Sequence, residues 1–286
     1  MTDTAMAPLS IERLDDGGAI IALDAGDRPV VVMNRSLLAR LDATLDELEA
    51  DQASWLVLRS TSERSFVAGA DLAEIASLDD EALEAYMHEG QRVFGRLAQW
   101  PVPVVAALGG AALGGGLELA LHCHAIVVAV IGQAGKPWPI GLPEAGLGLC
   151  PAWGGTQLLA GRIDPIVAIE ATTQGRPFKS DAMPDGLADR TLETSETLLE
   201  AACDLARTTT AAPPTACAAL DPAVIESACE HAAAIDTPEA KAVIDCIRVG
   251  AAQGLPAGLE AERRNIITLR NSQETKDRIA AFLNRG

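Results

Sequence analysis

The stretch VVAALGGAALGGGLE, residues 104–118, contains the most informative pattern in the chain. Its first five residues are all apolar, which is typical of a strand buried on both faces of a parallel sheet. Glycines follow up to Gly116, and Leu117 to His122 then predicts a short helix. Glycines where a helix begins leave backbone N–H groups unshielded, so they favour an anion or a developing oxyanion. Such glycines also let a helix pack closely on the preceding strand, and spacing alone does not choose between these interpretations.

Strands and helices alternate on both sides of this stretch, and the chain becomes mostly helical beyond Pro165. This order predicts an α/β fold with parallel pairing and helices packed outside the sheets. We predict an α/β core at residues 1–207 and a helical region at residues 208–286, with a linker at 208–214. The other predicted strands are 19–23, 29–33, 55–59 and 126–131, and the predicted helices are 36–50, 80–99, 156–160, 168–173, 196–208, 222–235, 238–251 and 258–282.

Two more stretches combine glycine with a carboxylate, SFVAGAD at residues 65–71 and GLPEAGLGLCPAWGGT at residues 141–156. Glu118 and Glu144 both stand among apolar neighbours. Burial raises the pKa of a carboxyl group, and two such groups near each other form an acid and a base. For either residue alone, capping a helix or pairing with an arginine is the alternative interpretation.

Other kinds of site fit the sequence less well. His122 and His124 flank Cys123, but no second group of ligands appears at metal spacing, so we expect no metal site. The glycine run lacks the Gly-Lys-Ser/Thr of a phosphate loop, and the chain has no GxSxG elbow of a serine hydrolase.

Charge and cysteine usage narrow the partners and the compartment. With 22 Lys and Arg against 40 Asp and Glu, the net charge of −18 argues against nucleic acid and against an anionic membrane surface. The six cysteines include no CxxC pair, and no charged and then apolar leader precedes them. We therefore expect a reduced, cytoplasmic protein.

The three glycine-rich stretches, in this order and with nearly this spacing, resemble the crotonase (enoyl-CoA hydratase/isomerase) superfamily. The resemblance is closest to the hydratase segment of multifunctional fatty-acid oxidation enzymes and runs from about Ala19 to Phe282. It extends to GRPFK at residues 175–179, GLAD at 186–189 and GLEAE at 258–262. It implies a spiral of strand-strand-helix turns with a C-terminal helical trimerisation region, and a homotrimer or hexamer.

The resemblance also assigns roles to residues. It places an oxyanion hole at the backbone N–H groups of Ala70 and Gly115, and it makes Glu118 and Glu144 the two catalytic carboxylates. Phe282 and Arg285 match a C-terminal pair that reaches a neighbour's ligand. The residues assigned to substrate or coenzyme A are Arg28, Arg64, Ala68, Gly69, Asp71, Leu72, Gly114, Trp153, Phe282 and Arg285.

Having both carboxylates favours hydration of a 2-enoyl-CoA to a 3-hydroxyacyl-CoA, with coenzyme A as part of the substrate and no metal or redox cofactor. Isomerisation and thioester hydrolysis are the alternatives within the superfamily, and a non-catalytic binding protein is the alternative outside enzymes. The sequence departs from the family pattern at Cys123-His-Ala-Ile126, at about six extra residues around 132–139, and at Trp153. We expect Trp153 to narrow the acyl pocket and the longer loop to carry Lys136 toward the ligand, so these departures bear on substrate length and loop geometry. We expect no nicotinamide chemistry.

Overall fold

The computed structural model describes residues 7–284, and its strands and helices alternate through the first two thirds of the chain. Two short 3₁₀ helices occupy Glu144–Leu147 and Cys217–Ala219. The strands are β1 Ser10–Arg13, β2 Gly18–Leu23, β3 Trp55–Ser60, β4 Ser65–Val67, β5 Val104–Leu108, β6 Ala111–Leu113, β7 Ala125–Ile131, β8 Pro139–Gly141, β9 Phe178–Lys179 and β10 Arg190–Thr194. The helices are α1 Arg35–Asp51, α2 Leu72–Ser77, α3 Asp80–Ala98, α4 Gly115–Leu121, α5 Gly155–Arg162, α6 Pro165–Thr173, α7 Leu198–Thr208, α8 Pro222–Ala232, α9 Pro238–Gln253, α10 Leu255–Arg270 and α11 Gln273–Leu283.

Two sheets organise these elements. The larger has the order β1-β2-β3-β5-β7-β10, and all its pairs are parallel except β1 with β2. The smaller has the order β4-β6-β8-β9, with β9 antiparallel to β8. The predicted parallel pairing is therefore confirmed.

Residues 104–118 join the two sheets. β5 lies in the larger sheet and is buried along its whole length, as its apolar sequence predicts. Gly109 and Gly110 then carry the chain to β6 in the smaller sheet. A Cβ on Gly110 would lie 2.8 Å from the backbone of Arg64, so a side chain would obstruct this crossing. The sequence pattern does not reveal β6, because three residues are too few for a periodicity to show.

Each face of the larger sheet packs against a different layer. On one face Ile20, Val57 and Val127 pack with Ala201 and Ala202 of α7. The alternate residues, among them Ile21 and Leu58, face the larger core that also contains residues of α1, α3 and the C-terminal helices. The helices thus lie outside the sheets, as predicted.

The predicted strand at residues 29–33 is wrong. Residues 28–30 form a bend, and Met33 forms only an isolated bridge with Ala70. Pro29 has no N–H to donate, and the facing chain turns at Gly69, whose φ of +102° no strand adopts. A regular ladder therefore cannot form.

The C-terminal region also differs from prediction in detail. The single helical stretch predicted at 258–282 is two helices, because Ser272 accepts a hydrogen bond from the amide of Thr275 and begins α11. Residues 209–216 lack regular structure, at the place predicted for a linker. Beyond them the described chain is helical, and the division at 207/208 into two regions remains a prediction.

No helix among residues 7–284 is long and apolar enough to cross a membrane.

Candidate active site

One cavity of about 590 Å³ is bordered by all three glycine-rich stretches. Arg64 does not line it, but it borders an adjacent surface depression together with Arg28. Arg285 lies outside the described residues. The other predicted site residues line the cavity: Arg28, Ala68, Gly69, Ala70, Asp71, Leu72, Gly114, Gly115, Glu118, Glu144, Trp153 and Phe282.

Two backbone amides converge at this cavity. Met33 donates to Gly69 O at 2.9 Å and accepts from the Asp71 amide at 3.0 Å, which leaves the Ala70 amide between them without an acceptor in residues 7–284. Gly115 begins α4, so its amide has no acceptor within the helix. A Cβ built on Gly115 would lie 3.7 Å from Ala70 N, so the two donors are close neighbours. The predicted oxyanion hole would lie between them.

The glycines at the start of α4 have separate functions. A Cβ on Gly116 would lie 2.1 Å from Val67 O, so this glycine allows α4 to pack on β4. Gly114 has a φ of +51°, and a Cβ there would lie 2.7 Å from Glu144 Oε1. A Cβ on Gly115 would meet the Trp153 ring at 2.4 Å. Close packing thus accounts for Gly116, while the oxyanion interpretation of Gly115 stays a prediction.

Glu118 lies in α4 and is 2% exposed. Its Oε1 accepts hydrogen bonds from Trp153 N at 2.7 Å and from Gly155 N at 2.9 Å. Burial raises the pKa of Glu118 to about 7, while these amide donors act in the opposite direction. The carboxyl group therefore gains and loses its proton near neutral pH.

Glu144 begins the first 3₁₀ helix and faces the same cavity. Its Oε2 is buried and has no hydrogen-bond partner among the described residues. Burial, and next the charge of Glu118, raise the pKa of Glu144 well above its usual range. Two nearby carboxyl groups with different partners are the arrangement that acid and base catalysis requires.

Trp153 forms a wall of the cavity and is 1% exposed. Its ring meets Tyr86 and Phe94 edge to face, with a centroid separation of 5.4 Å in each pair. Gly90 on α3 leaves room for the indole, since a Cβ there would lie 2.1 Å from its Nε1. The amide of Trp153 binds Glu118 while its ring narrows the space beside Gly115.

The mouth of the cavity carries a charged pair and an exposed aromatic ring. Arg28 Nη1 lies 2.8 Å from Asp71 Oδ2, and Asp71 also caps α2. The Arg28 side chain is 51% exposed, so its guanidinium is still accessible from solvent. Phe282, predicted to reach a neighbour's ligand, lines the cavity of its own chain and is 53% exposed.

Two residues near the cavity, His122 and Lys136, lie outside its lining. The Nδ1 of His122 lies 2.8 Å from Glu118 O, and burial lowers the pKa of His122 to about 4. It is a helix-end residue, as predicted. Lys136 is absent from the residues that line the cavity, because Trp138 fixes the longer loop to Ala129 O and to Ser180 Oγ instead.

No sequence pattern assigns a role to Glu262, the last residue of the GLEAE motif. Glu262 is fully buried and accepts hydrogen bonds from Gly154 N at 2.7 Å and Thr156 N at 3.1 Å. The sequence signal that could indicate a role is the position of Glu262, a carboxylate on the apolar side of α10. Apolar residues that complete the cavity, and that no motif indicates, are Met87, Leu149 and Ile266.

Comparison with known proteins identifies the family. The model of the enoyl-CoA hydratase/isomerase family matches residues 18–266, and the chain belongs to this family. A carnitinyl-CoA dehydratase from Mycobacterium thermoresistibile has a TM-score of 0.72 at 21% identity, over 96% of this chain and 89% of that one. An enoyl-CoA hydratase from Rhodobacter sphaeroides 2.4.1 has a TM-score of 0.72 at 21% identity, over 98% and 90%. The predicted crotonase fold is confirmed.

The curated relatives are longer proteins. The fatty acid oxidation complex subunit alpha of Shewanella frigidimarina is 31% identical over 283 residues, which are 93% of this chain and 39% of that protein. The chain thus spans less than half the length of this relative. The predicted resemblance to a segment of fatty-acid oxidation enzymes is confirmed.

Proposed function

We propose that the chain is an enoyl-CoA hydratase, which adds water to a 2-enoyl-CoA to give a 3-hydroxyacyl-CoA. The observation that carries the proposal is the meeting of two acidic side chains, Glu118 and Glu144, with two converging amides in one cavity. An isomerase needs a single carboxyl group to move a proton from one carbon of the acyl chain to another. Hydration uses one carboxyl group to take a proton from water and a second to give a proton to carbon. The pair therefore favours hydration.

In this mechanism the thioester oxygen binds between the amides of Ala70 and Gly115. Conjugation makes C3 electrophilic, and negative charge moves to that oxygen as water attacks. One donor aimed at such a charge is worth about 3 kcal/mol. Because both donors belong to the backbone, small residues at these positions let the thioester approach closely.

The two glutamates divide the proton transfers. Ionised Glu118 accepts a proton from water while the hydroxyl oxygen bonds to C3, and Glu144 delivers its proton to C2. Both carboxyl groups line the same cavity, so H and OH add to one face of the double bond. The reaction transfers no electrons and requires no redox cofactor.

Coenzyme A binding is proposed for the basic residues at the mouth. The net charge of −18 repels phosphates, so local positive charge must attract them. Arg28 and Arg64 border the same depression, of about 410 Å³. Phe282 lies at the mouth, and Arg285 remains a predicted contact outside the described residues.

The proposal includes a homotrimer or hexamer in the cytoplasm. The resemblance of the C-terminal region to a family trimerisation region supports the homotrimer or hexamer. The six buried, unpaired cysteines support a reducing compartment.

Conservative replacement of each carboxylate tests the proposed activity. Glu118→Gln and Glu144→Gln keep the side-chain volume but remove the proton-transfer group, so each is expected to lower kcat for hydration of crotonyl-CoA by about 100-fold or more. Binding of a saturated acyl-CoA, measured by calorimetry, is expected to persist. Glu230→Gln, on the exposed surface of α8, is the matched control.

Mass analysis of the product separates the possible reactions, because hydration adds one water and isomerisation adds none. Full hydration by both cavity variants would contradict the proposed mechanism. A wild-type product without added water would contradict the proposed function.

A further inference from the structure

A third buried carboxylate lies beside the proposed catalytic pair, and the proposed mechanism does not use it. Glu262 belongs to α10 and is fully buried. Its Oε2 accepts from Gly154 N at 2.7 Å, and its Oε1 accepts from Thr156 N at 3.1 Å and from the Thr156 hydroxyl. A buried carboxylate with this many donors has a defined task in the structure.

Four consecutive backbone amides donate alternately to Glu118 and to Glu262. Trp153 N and Gly155 N donate to Glu118, while Gly154 N and Thr156 N donate to Glu262. Glu118 reaches this segment from α4 and Glu262 reaches it from α10. A movement of the segment away from Glu262 would therefore also move the two amides that hold Glu118.

The next residue strengthens the attachment to the C-terminal helices. Gln157 Nε2 donates to Thr156 Oγ1 at 2.7 Å and to Cys246 O at 2.9 Å. Its side chain occupies the space left by two glycines, since a Cβ on Gly250 or on Gly258 would lie 1.7 Å or 2.5 Å from Gln157 Oε1. Close contacts with α9 and α10 thus hold the segment in place.

We propose that Glu262 is a positioning residue for Glu118. It holds residues 153–156 so that Trp153 N and Gly155 N remain directed at the Glu118 carboxylate. This role rests on the proposed function of Glu118 as the base that activates water. Glu262 itself does not line the cavity, so the proposed role is indirect and acts through residues 153–156.

The titratable groups that face Glu262 are Glu118 of α4 and three buried thiols, those of Cys150, Cys217 and Cys246. Burial first, and then the charges of Glu118 and Cys246, raise its pKa well above the usual range, while the Thr156 and Gly154 donors act in the opposite direction. The adjacent Arg263 does not face it, because its guanidinium is bonded to Glu84 and Gln91.

Glu262→Gln tests the proposal with little change in volume. Both oxygens of Glu262 accept a backbone N–H, so the amide group of glutamine sets its own donors against Gly154 N or Thr156 N in either orientation. Loss of such a bond costs a factor of about ten or more in kcat for hydration of crotonyl-CoA, with little change in KM. As the donors to Glu118 move away, its ionised form is less favoured, whereas loss of the neighbouring Glu262 charge favours it. The direction of the pH shift is therefore tested with a variant that keeps the Glu262 carboxylate.

Two further variants complete the kinetic test. Glu260→Gln removes the same charge from an exposed position of α10 and is expected to keep the wild-type kcat and pH profile. Thr156→Val removes the hydroxyl contacts with Glu262 and Gln157 but keeps the Glu262 carboxylate. Because it loosens residues 153–156 without removing a charge, it is expected to shift the acidic limb of kcat/KM to higher pH. This variant keeps the test valid if Glu262→Gln does not fold.

Hydrogen–deuterium exchange of the segment gives a readout that needs no substrate. In Glu262→Gln the amides of Trp153 and Gly155 are expected to exchange about tenfold faster than in the wild type, and those in Glu260→Gln at the wild-type rate. If the wild-type protein hydrates nothing, the proposed function fails and this exchange still tests the positioning role. A folded Glu262→Gln variant with wild-type exchange at Trp153 and Gly155, or a folded Thr156→Val variant with an acidic limb unmoved or moved to lower pH, would overturn the proposal.

Discussion

Glu118 and Glu144 line one cavity but have different hydrogen-bond partners. Glu118 accepts from two amides, and Glu144 has a buried oxygen with no partner in the described part of the chain. Amide donors favour the charged form of a carboxyl group, while burial without partners disfavours it. Near neutral pH the proton therefore resides on Glu144 more readily than on Glu118. This is the protonation that Glu144 needs as the proposed acid and Glu118 as the proposed base.

The pH dependence of hydration follows from this difference. Since the pKa of Glu118 is about 7 and its ionised form activates water, kcat/KM is expected to fall about tenfold for each pH unit below that value. The measurement is kcat/KM for crotonyl-CoA across the acidic and neutral range. A profile that stays flat down to about pH 5 would show that no group with the raised pKa of Glu118 acts as the base.

At the residue scale the sequence identifies the carboxylates and the amide donors, because each lies in a motif with a recognisable spacing. It does not reveal Glu262, whose partners Gly154 and Thr156 lie 108 and 106 residues earlier in the chain. A local pattern contains no information about such a contact. The roles assigned to the site residues remain predictions until variants are measured.

Among the secondary-structure elements, α4 depends most closely on a glycine for its position. A Cβ on Gly116 would lie 2.1 Å from Val67 O, and a backbone oxygen in β4 cannot move aside. Gly116→Ala is therefore expected to lower the free energy of unfolding by about 1–3 kcal/mol or more, as overpacked cores do. Urea denaturation measures this change.

Gly95 on α3 provides the matched control. A Cβ there meets nothing within 4 Å, so Gly95→Ala introduces the same methyl group without a collision. Alanine in an open helical position is expected to leave stability unchanged or to raise it by up to about 1 kcal/mol. Equal effects of the two substitutions would contradict the role assigned to Gly116.

At the element scale, long apolar or periodic segments are predicted best. The strand β5 has the predicted bounds, Val104–Leu108, because a fully buried strand is apolar throughout. The segment 29–33 has the same β-rich composition, yet its partner turns at Gly69. Strand formation depends on a straight neighbour, and the residues of one segment do not show whether that neighbour exists.

In the whole molecule, the two predicted regions share one core. Leu158 and Ile169 of the first region belong to the same buried cluster as Ile225, Val243 and Ile266 of the second. The α9 and α10 helices also pack on α5. The regions are therefore expected to unfold together.

Two spectroscopic signals can check this expectation. All four tryptophans lie in the first region, at positions 55, 100, 138 and 153, so their fluorescence reports that region alone. Circular dichroism reports the helices of both regions. Coincident urea transitions are expected, whereas loss of helix signal before the fluorescence change would show that the C-terminal helices unfold separately.

For the whole molecule, the order of the motifs along the sequence is sufficient to predict the fold. It does not show how the C-terminal helices reach back to the site, where Thr275 of α11 donates to Gly148 O beside the Glu144 turn. Such contacts follow from the packing of whole layers, which short-range patterns do not specify.

The burial of all six cysteines has a practical consequence for experiments on the intact protein. Maleimide reagents attack accessible thiols, so the folded chain offers them no native target. Ala134, exposed in the turn that follows β7, suits a cysteine introduced by substitution. A fluorophore attached there would be the only label on each chain and would lie away from the residues that border the cavity.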